Sequence, residues 1–372
     1  MARHRSLSLA RLQAAIPPDV LERFFSVLPL SRKPEHWVFI NPDALATFLD
    51  DDDFAEENGR IRDTLQRIND IAGTLPDVVF RSCSRAGLQT GTGNQEQTPE
   101  AVAMQLYVES PRFFDFAWSQ YILLAGGERV GMYDLGRTGL DITEEQIKQL
   151  QHALSEWYAS RGKGGQCLVS HFPDSAEHTL LIQRGQALKT MPLWVGPDLS
   201  MQTFRPALED VLTYEPLTGT LRVKASQKTE RQAYVRYFAG IVAGDIGLAD
   251  AALASNTCKL GPFQTGDFHY GGAGSITRVW MVSAVFSVDG AAGRVSIDHD
   301  DVVSYLSRTP TGFDLSSGNL RAVRLRFEVD EPGSGQSLVT VYVQPPDQIR
   351  LADRRYEHLI LEYLREQEVR AR

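Results

Sequence analysis

The side chains best suited to chemistry in this chain of 372 residues stand in the stretch His171-Phe172-Pro173-Asp174-Ser175-Ala176-Glu177-His178. Imidazoles and carboxylates are zinc ligands, and zinc would polarise a substrate and ionise a water. The stretch reads as a turn between two strands, so the histidines can approach each other across the strand ends. His171, Asp174 and His178 are the metal-ligand candidates. No His-Glu-x-x-His order nominates a third protein ligand, and a polar turn flanked by two strand-terminal histidines explains the same residues more simply.

Other groupings end the same way. Asp298-His299-Asp300-Asp301 suits acid/base work, because His titrates near neutrality and carboxylates tune it. The plainer role puts Asp298 at a helix N-cap, with Asp300 and Asp301 against the positive helix end. Asp50–Asp53 with Glu56 and Glu57 could gather a hard cation but lacks the Asp-x-Asp-x-Asp-Gly order of a calcium loop, which leaves a solvated helix end. Cys167 shares a strand face with His171, yet no third group orients the pair, so a buried thiol is the default. Gly87–Gly93 lacks the Gly-Lys-Ser/Thr ending of a phosphate loop, and Gly271–Gly274 runs into a strand. A metal-dependent nuclease wants an acidic residue two before Lys224; Arg222 stands there. No catalytic signature stands in the chain, and no cofactor is expected.

Basic residues do gather. Arg222 and Lys224 share a face of the predicted strand Thr220–Ala225, and Lys228 and Arg231 fall on the polar side of the helix that follows, with Arg236 beyond and Glu230 opposing. Further on, Leu320–Val329 alternates as a strand. Arg321, Val323, Leu325, Phe327 and Val329 point one way, and Arg324, Arg326 and Glu328 the other. In Leu338–Gln344, Val339, Val341 and Val343 turn inward and Tyr342 outward. Arg278 and Trp280 share a face of the Thr277–Val288 strand, but alternation alone does not say which face is outward. Guanidinium groups pair with phosphates and rings stack on bases, so Arg222, Lys224, Lys228, Arg231, Arg324, Arg326 and Tyr342 form the candidate nucleic-acid surface. The competing account is a solvated face whose arginines pair with Glu328 and Asp330.

These residues need a frame. Thr277–Val288, the turn Asp289-Gly290, Arg294–Ile297, a helix after Asp298, Leu320–Val329 and Leu338–Gln344 give a strand-strand-helix-strand-strand order. A helix from Asp353 to Glu368 closes the chain. The same order is predicted earlier: Tyr121–Ala125, Gly126-Gly127, Val130–Leu135, a helix from the capping box Thr143-Glu144-Glu145-Gln146 to Ser160, then Gln166–His171 and Thr179–Gln183. The shared order raises an internal ββαββ duplication, although it is common in α+β folds. Between the two lie predicted strands Pro192–Val195 and Val211–Tyr214, besides Thr220–Ala225, and a helix from Thr229 to Val242. Upstream, helices are predicted at Val20–Val27, after Asn41-Pro42 and at Ile61–Ile71, with strands at Trp37–Ile40 and Val78–Arg81 and a loop from Arg85 to Thr98. The expected fold is α+β, mainly antiparallel sheets covered by helices. Its divisions are an acidic helical region 1–118, a layer 119–225 and a C-terminal layer 226–372.

Composition bounds the rest. Apolar content of 42% and charged content of 23% are those of a globular protein. No stretch approaches the roughly 18 apolar residues of a membrane span. Leu7–Ile16 is broken by Ser8, Arg11 and Gln13, so no secretion signal is expected, and three scattered cysteines fit a reducing cytoplasm. Residues 221–372 hold 18 basic and 18 acidic side chains, which leaves 20 against 29 before them, so the net charge of −9 belongs to the N-terminal part. The leading expectation is a non-catalytic cytoplasmic binding protein with nucleic acid as partner and no membrane association. The alternatives are a metal-dependent hydrolase using the His171/His178 turn and a protein-interaction subunit of a larger complex.

Overall fold

Proline sets the rhythm of the N-terminal helices. Its fixed φ and missing N–H suit the first helical position, and five helices among the described residues begin with it. They are α2 (Pro18–Val27), α4 (Pro42–Leu49), α6 (Pro76–Arg85), α7 (Pro99–Glu109) and α8 (Pro111–Ala125). Between them lie α1 (Leu9–Ala15), α3 (His36–Ile40) and α5 (Ala55–Thr74). These elements come from a computed structural model, which describes residues 6–88, 97–125, 130–174, 176–195, 198–255, 258–288, 293–316, 319–331, 335–351 and 356–370. The predicted turns at Gly126-Gly127 and Asp289-Gly290, most of the Gly87–Gly93 loop and the start of the last helix at Asp353 lie outside the described residues.

The chain divides into two compact units. The first comprises residues 1–127, 159–164 and 184–209, and the second residues 128–158, 165–183 and 210–372. In the first unit, α5 buries Ile61, Leu65 and Ile68 at helical spacing. Phe24 packs on Phe25 and Tyr107, and Phe25 on Phe39. Asn41 caps α4 by accepting from the Asp43 N–H at 3.1 Å, as its sequence context predicts. The acidic run is a helix end: Asp50 closes α4 and pairs with Arg62, and Asp51 pairs with Arg32 at 2.6 Å. The Arg32 guanidinium also lies 4.1 Å from the ring centroids of Phe48 and Phe54.

Three predicted strands in this unit are helical, and each has a physical reason. Val38 and Phe39 form the buried side of α3, ahead of the Asn41-Pro42 start of the next helix. In α6, Pro76 opens a helix that buries Val79, Ser82 and Cys83 at spacings of three and four. Tyr121–Ala125 is the last turn and more of α8, where Phe114, Ala117, Trp118, Tyr121 and Ile122 are buried at helical spacing. The earlier copy of the expected ββαββ order therefore lacks its first strand, and the duplication is not confirmed.

The chain then runs through β1 (Val130–Asp134), α9 (Glu144–Ala159), β2 (Cys167–Pro173) and β3 (His178–Gly185). A ribbon of β4 (Lys189–Val195) and β5 (Asp198–Phe204) follows, and then β6 (Ala207–Glu215), β7 (Thr220–Lys224), α10 (Lys228–Ile241) and α11 (Ile246–Ala254). The second unit's first sheet has strand order β1-β7-β6-β3-β2. Its helix α9 starts with the predicted capping box: Gln146 N–H donates to the Thr143 hydroxyl at 3.2 Å, and Thr143 N–H to the Gln146 side-chain oxygen at 2.9 Å. Leu150 and Leu154 of α9, Tyr234 and Phe238 of α10, and Ala249 of α11 join Leu212, Tyr214, Leu221 and Val223 in one core.

The remaining elements are α12 (Gly261–Thr265), β8 (Gly271–Ala273), β9 (Ile276–Ser287), β10 (Arg294–Asp298), α13 (Val302–Arg308), β11 (Leu320–Glu331), β12 (Gly335–Gln344), β13 (Gln348–Leu351) and α14 (Glu357–Glu366). They form a second sheet of order β10-β9-β11-β12-β13, with β8 also on β9. Among the described residues its strand pairs are all antiparallel. One face is packed: Met281, Phe286, Leu325, Phe327, Val341 and Val343 share a core with Ile360 and Leu364 of α14. The two sheets meet at their edges, where Met132 N–H donates to Asp347 O at 2.7 Å and Tyr133 Oη to the Asp347 carboxylate at 2.8 Å. Both sheets and the helices beside them make an α+β architecture, as expected.

Candidate functional site

Strand alternation leaves the second sheet a face that its core does not use, and register determines which side chains share it. On β11, Arg324, Arg326 and Glu328 alternate with buried Val323, Leu325, Phe327 and Val329. Arg326 lies opposite Trp280 on β9 and Thr340 on β12. Arg324 lies opposite Ser283 and Tyr342, and Tyr342 opposite Arg350 on β13. Arg278 stands opposite Glu328. Arg278 and Trp280, whose orientation alternation left open, are therefore on the same outward face as Arg324, Arg326 and Tyr342. Arg350 joins them.

The cations and rings of this face are in contact. The Arg278 guanidinium lies 4.9 Å from the Trp280 ring centroid, and that of Arg350 lies 5.2 Å from Tyr342. Arg324 is half-exposed and 4.0 Å from the Asp298 carboxylate, the outermost position of the row. Arg278, Arg324, Arg326 and Arg350 thus share this face with the carboxylates Asp298, Glu328 and Asp330, with two rings among them. At about 4.8 Å between strands and 3.3 Å per residue, Trp280 and Tyr342 are about 12 Å apart with Arg326 and Arg324 between.

Two irregularities limited what the sequence could show. A register shift between Leu320 and Ala322 turns Arg321 outward and buries Ala322, the reverse of simple alternation. On β9, Ser283 and Ala284 are both buried in succession, which breaks the period on which the face of Trp280 depended. Strand β13 is only four residues long and follows Pro345-Pro346, so Arg350 was missed. The signal it left was the alternation of Gln348 and Arg350 with Ile349 and Leu351.

The other basic candidates need correcting. Arg222, Lys224 and Arg231 are buried, at 9%, 3% and 2% exposure, and are not presented to a phosphate. All five residues of β7 are buried, because both faces of that strand are covered. Arg222 is held between Glu177 at 2.7 Å and Glu357 at 2.5 Å and donates to Thr213 at 3.2 Å. Burial works against its charge, and the two carboxylates more than restore it. Arg231 donates to Ala225 O at 3.0 Å, folded back onto the end of β7 instead of lying on the helix's polar side. Lys228 is exposed on the first turn of α10.

The histidine turn forms as the spacing suggested. His171 Nε2 and His178 Nδ1 are 3.0 Å apart, their rings stacked at 5.2 Å, and Asp174 N–H donates to Glu177 O at 2.9 Å. The two ring nitrogens are within hydrogen-bond distance, one ring donating to the other. Among the described residues no group of three His, Cys, Asp or Glu side chains could hold a metal ion. Burial lowers the His178 pKa, against the opposing pull of the Asp141 carboxylate. A His held below its unfolded value of about 6.5 favours folding above that pH and disfavours it below, where the unfolded chain takes up more protons. The thermal midpoint of the second unit is therefore expected to fall as pH drops below about 6.5, and His178→Gln to flatten that fall. An unchanged slope in the variant would assign the effect to other groups.

The remaining candidates have structural partners. Asp301, not Asp298, caps α13, accepting from Ser304 N–H at 3.1 Å, while Asp298 ends β10. Cys83, Cys167 and Cys258 are buried free thiols; burial pushes Cys258 up to about 12 and raises Cys83, the reverse of what a thiolate nucleophile needs. Among the described residues, no helix is long and apolar enough to cross a membrane. No protein-family model matches the chain, and no match is found among curated proteins.

Proposed function

We propose that this chain is a non-catalytic binding protein that takes single-stranded nucleic acid on the outward face of its second sheet. The observation that carries this is the register: Arg278, Trp280, Arg324, Arg326, Tyr342 and Arg350 lie on one open face, while the opposite face is core. A sheet face is too broad for a duplex groove, but it offers rings to unstacked bases and guanidinium groups to the backbone between them. The cation–π contacts hold both partners ready, so less side-chain freedom is lost when a strand binds. Three buried free thiols support a reducing compartment, and the cytoplasm is the proposed location.

Trp280→Ala tests the stacking role. A base–ring stack contributes about 1–3 kcal/mol, so affinity for a fluorescent single-stranded oligonucleotide is expected to fall roughly tenfold to 100-fold. The loss should be similar at low and moderate salt, because no charge is removed. Unchanged affinity would remove Trp280 from the site. A loss that disappears at low salt would mean that the ring only positions Arg278.

A further inference from the structure

Arginine on the outward face of the second sheet extends past the rings. On β10, Ile297 packs toward the core, so Arg294, Ser296 and Asp298 stand on the outward side, and all three are exposed. Arg294 lies opposite Ser287 on β9. Arg321, turned outward by the register shift at the start of β11, donates through its Nε to the Ser287 hydroxyl at 3.1 Å. Both arginines are exposed, and among the described residues neither is paired with a carboxylate. Arg324, by contrast, has Asp298 at 4.0 Å.

Charge on this face is uneven along the strands. Glu328 lies opposite Arg278 beyond Trp280, and Asp330 is exposed two residues further along β11. Asp298 closes the β10 side of the row that holds Ser283, Arg324 and Tyr342. On the other side that row ends at Arg350 on β13, where the first sheet begins. A phosphate backbone leaving the rings therefore has one open, basic direction, along β9 and β11 toward Ser287. Ser283 to Ser287 is four residues, about 13 Å, and Ala322 and Ser296 flank that stretch with small side chains. From Trp280 to Ser287 the whole run is about 20 Å.

We infer that this run is a phosphate track. Single-stranded nucleic acid, seated by Trp280 and Tyr342, continues along β9 and β11 and is held at its far end by Arg321 and Arg294. The inference rests on the proposed ring site. An open sheet face takes about two or three bases on its rings, and the two arginines neutralise phosphates of the nucleotides that follow. The preferred ligand is then a strand longer than the segment on the rings, extended at the end that leaves toward Ser287. At the opposite end, Glu328 and Asp330 repel the backbone.

Arg294→Gln combined with Arg321→Gln tests the track, with labelled single strands of about four and about 12 nucleotides as probes. Glutamine removes the contacts without adding repulsion. For the longer strand, two lost phosphate contacts should reduce the slope of log affinity against log salt by about 1.4, and the affinity roughly 20-fold at about 0.1 M salt. The shorter strand, seated on the rings alone, should lose less than about twofold. Both side chains are exposed, so the circular dichroism spectrum should not change. A longer strand that binds wild type and variant equally overturns the track and leaves the ring site standing. Equal losses on both strands also overturn it, by placing the arginines at the rings. A wild-type chain that binds neither strand overturns the ring site and the track together.

Discussion

Reversing Arg324 and Arg326 to glutamate is expected to lower affinity for a single-stranded oligonucleotide by about 100-fold or more at moderate salt, with little change in thermal midpoint. Each lost arginine removes a charge-neutralising phosphate contact, and the two new carboxylates repel the same backbone. The residues are two apart on β11 and so about 6.6 Å apart on one face, between Trp280 and Tyr342. Arg324 is poorly engaged in the free protein: its 4.0 Å approach to Asp298 is exposed on both sides, a geometry worth about 0–1 kcal/mol. Phosphate can displace it at small cost. Losing two contacts should also reduce the slope of log affinity against log salt by about 1.4. Affinity and slope both unchanged would place any nucleic-acid site elsewhere on the chain.

Arg222→Met is expected to have the largest effect on stability, lowering the midpoint of the second unit by roughly 6–20 °C. Arg222 lies on β7, Glu177 precedes β3 and Glu357 opens α14, so one guanidinium joins three segments far apart in sequence. Removing one partner of a buried pair leaves uncompensated charge and costs about 3–5 kcal/mol. The same principle predicts rescue. Combining Arg222→Met with Glu177→Gln and Glu357→Gln should recover most of the loss, because the charges leave together. Thermal unfolding of the single and triple variants by circular dichroism separates the cases. A single variant within about 1 kcal/mol of wild type would show that the cluster is solvated. A triple variant no better than the single one would show that Arg222 acts by packing alone.

Much of the second unit was legible because its strands bury one face and expose the other. Alternation in Leu320–Val329 and Leu338–Gln344 gave the inward valines and the outward Arg326 and Tyr342 directly, and the Thr143 capping box located the start of α9. Arg321 and the orientation of Trp280 were not legible, because register shifts depend on the neighbouring strand. The first unit was harder. Tyr121–Ala125 and Val78–Arg81 are apolar runs too short to reveal their period, and both belong to longer helices whose spacing appears only when read from Pro111 and Pro76. The basic cluster at Arg222, Lys224 and Arg231 misled for a different reason. Local spacing gives the face of a strand or helix, but whether that face is covered depends on distant chain, here Glu177 and Glu357. A fully buried arginine reads in sequence like an exposed one. The ribbon's second strand escaped notice because Asp198–Phe204 mixes polar and apolar residues without a core to sort them.

The most direct test is photocrosslinking of the wild-type chain to a single-stranded oligonucleotide at low salt, with the attached peptides mapped by mass spectrometry. The proposed site predicts adducts on the peptides containing Trp280 and Tyr342, lost when Arg324 and Arg326 are reversed to glutamate. Adducts confined to peptides outside the second sheet, or none at concentrations where other single-strand binders react, would contradict it.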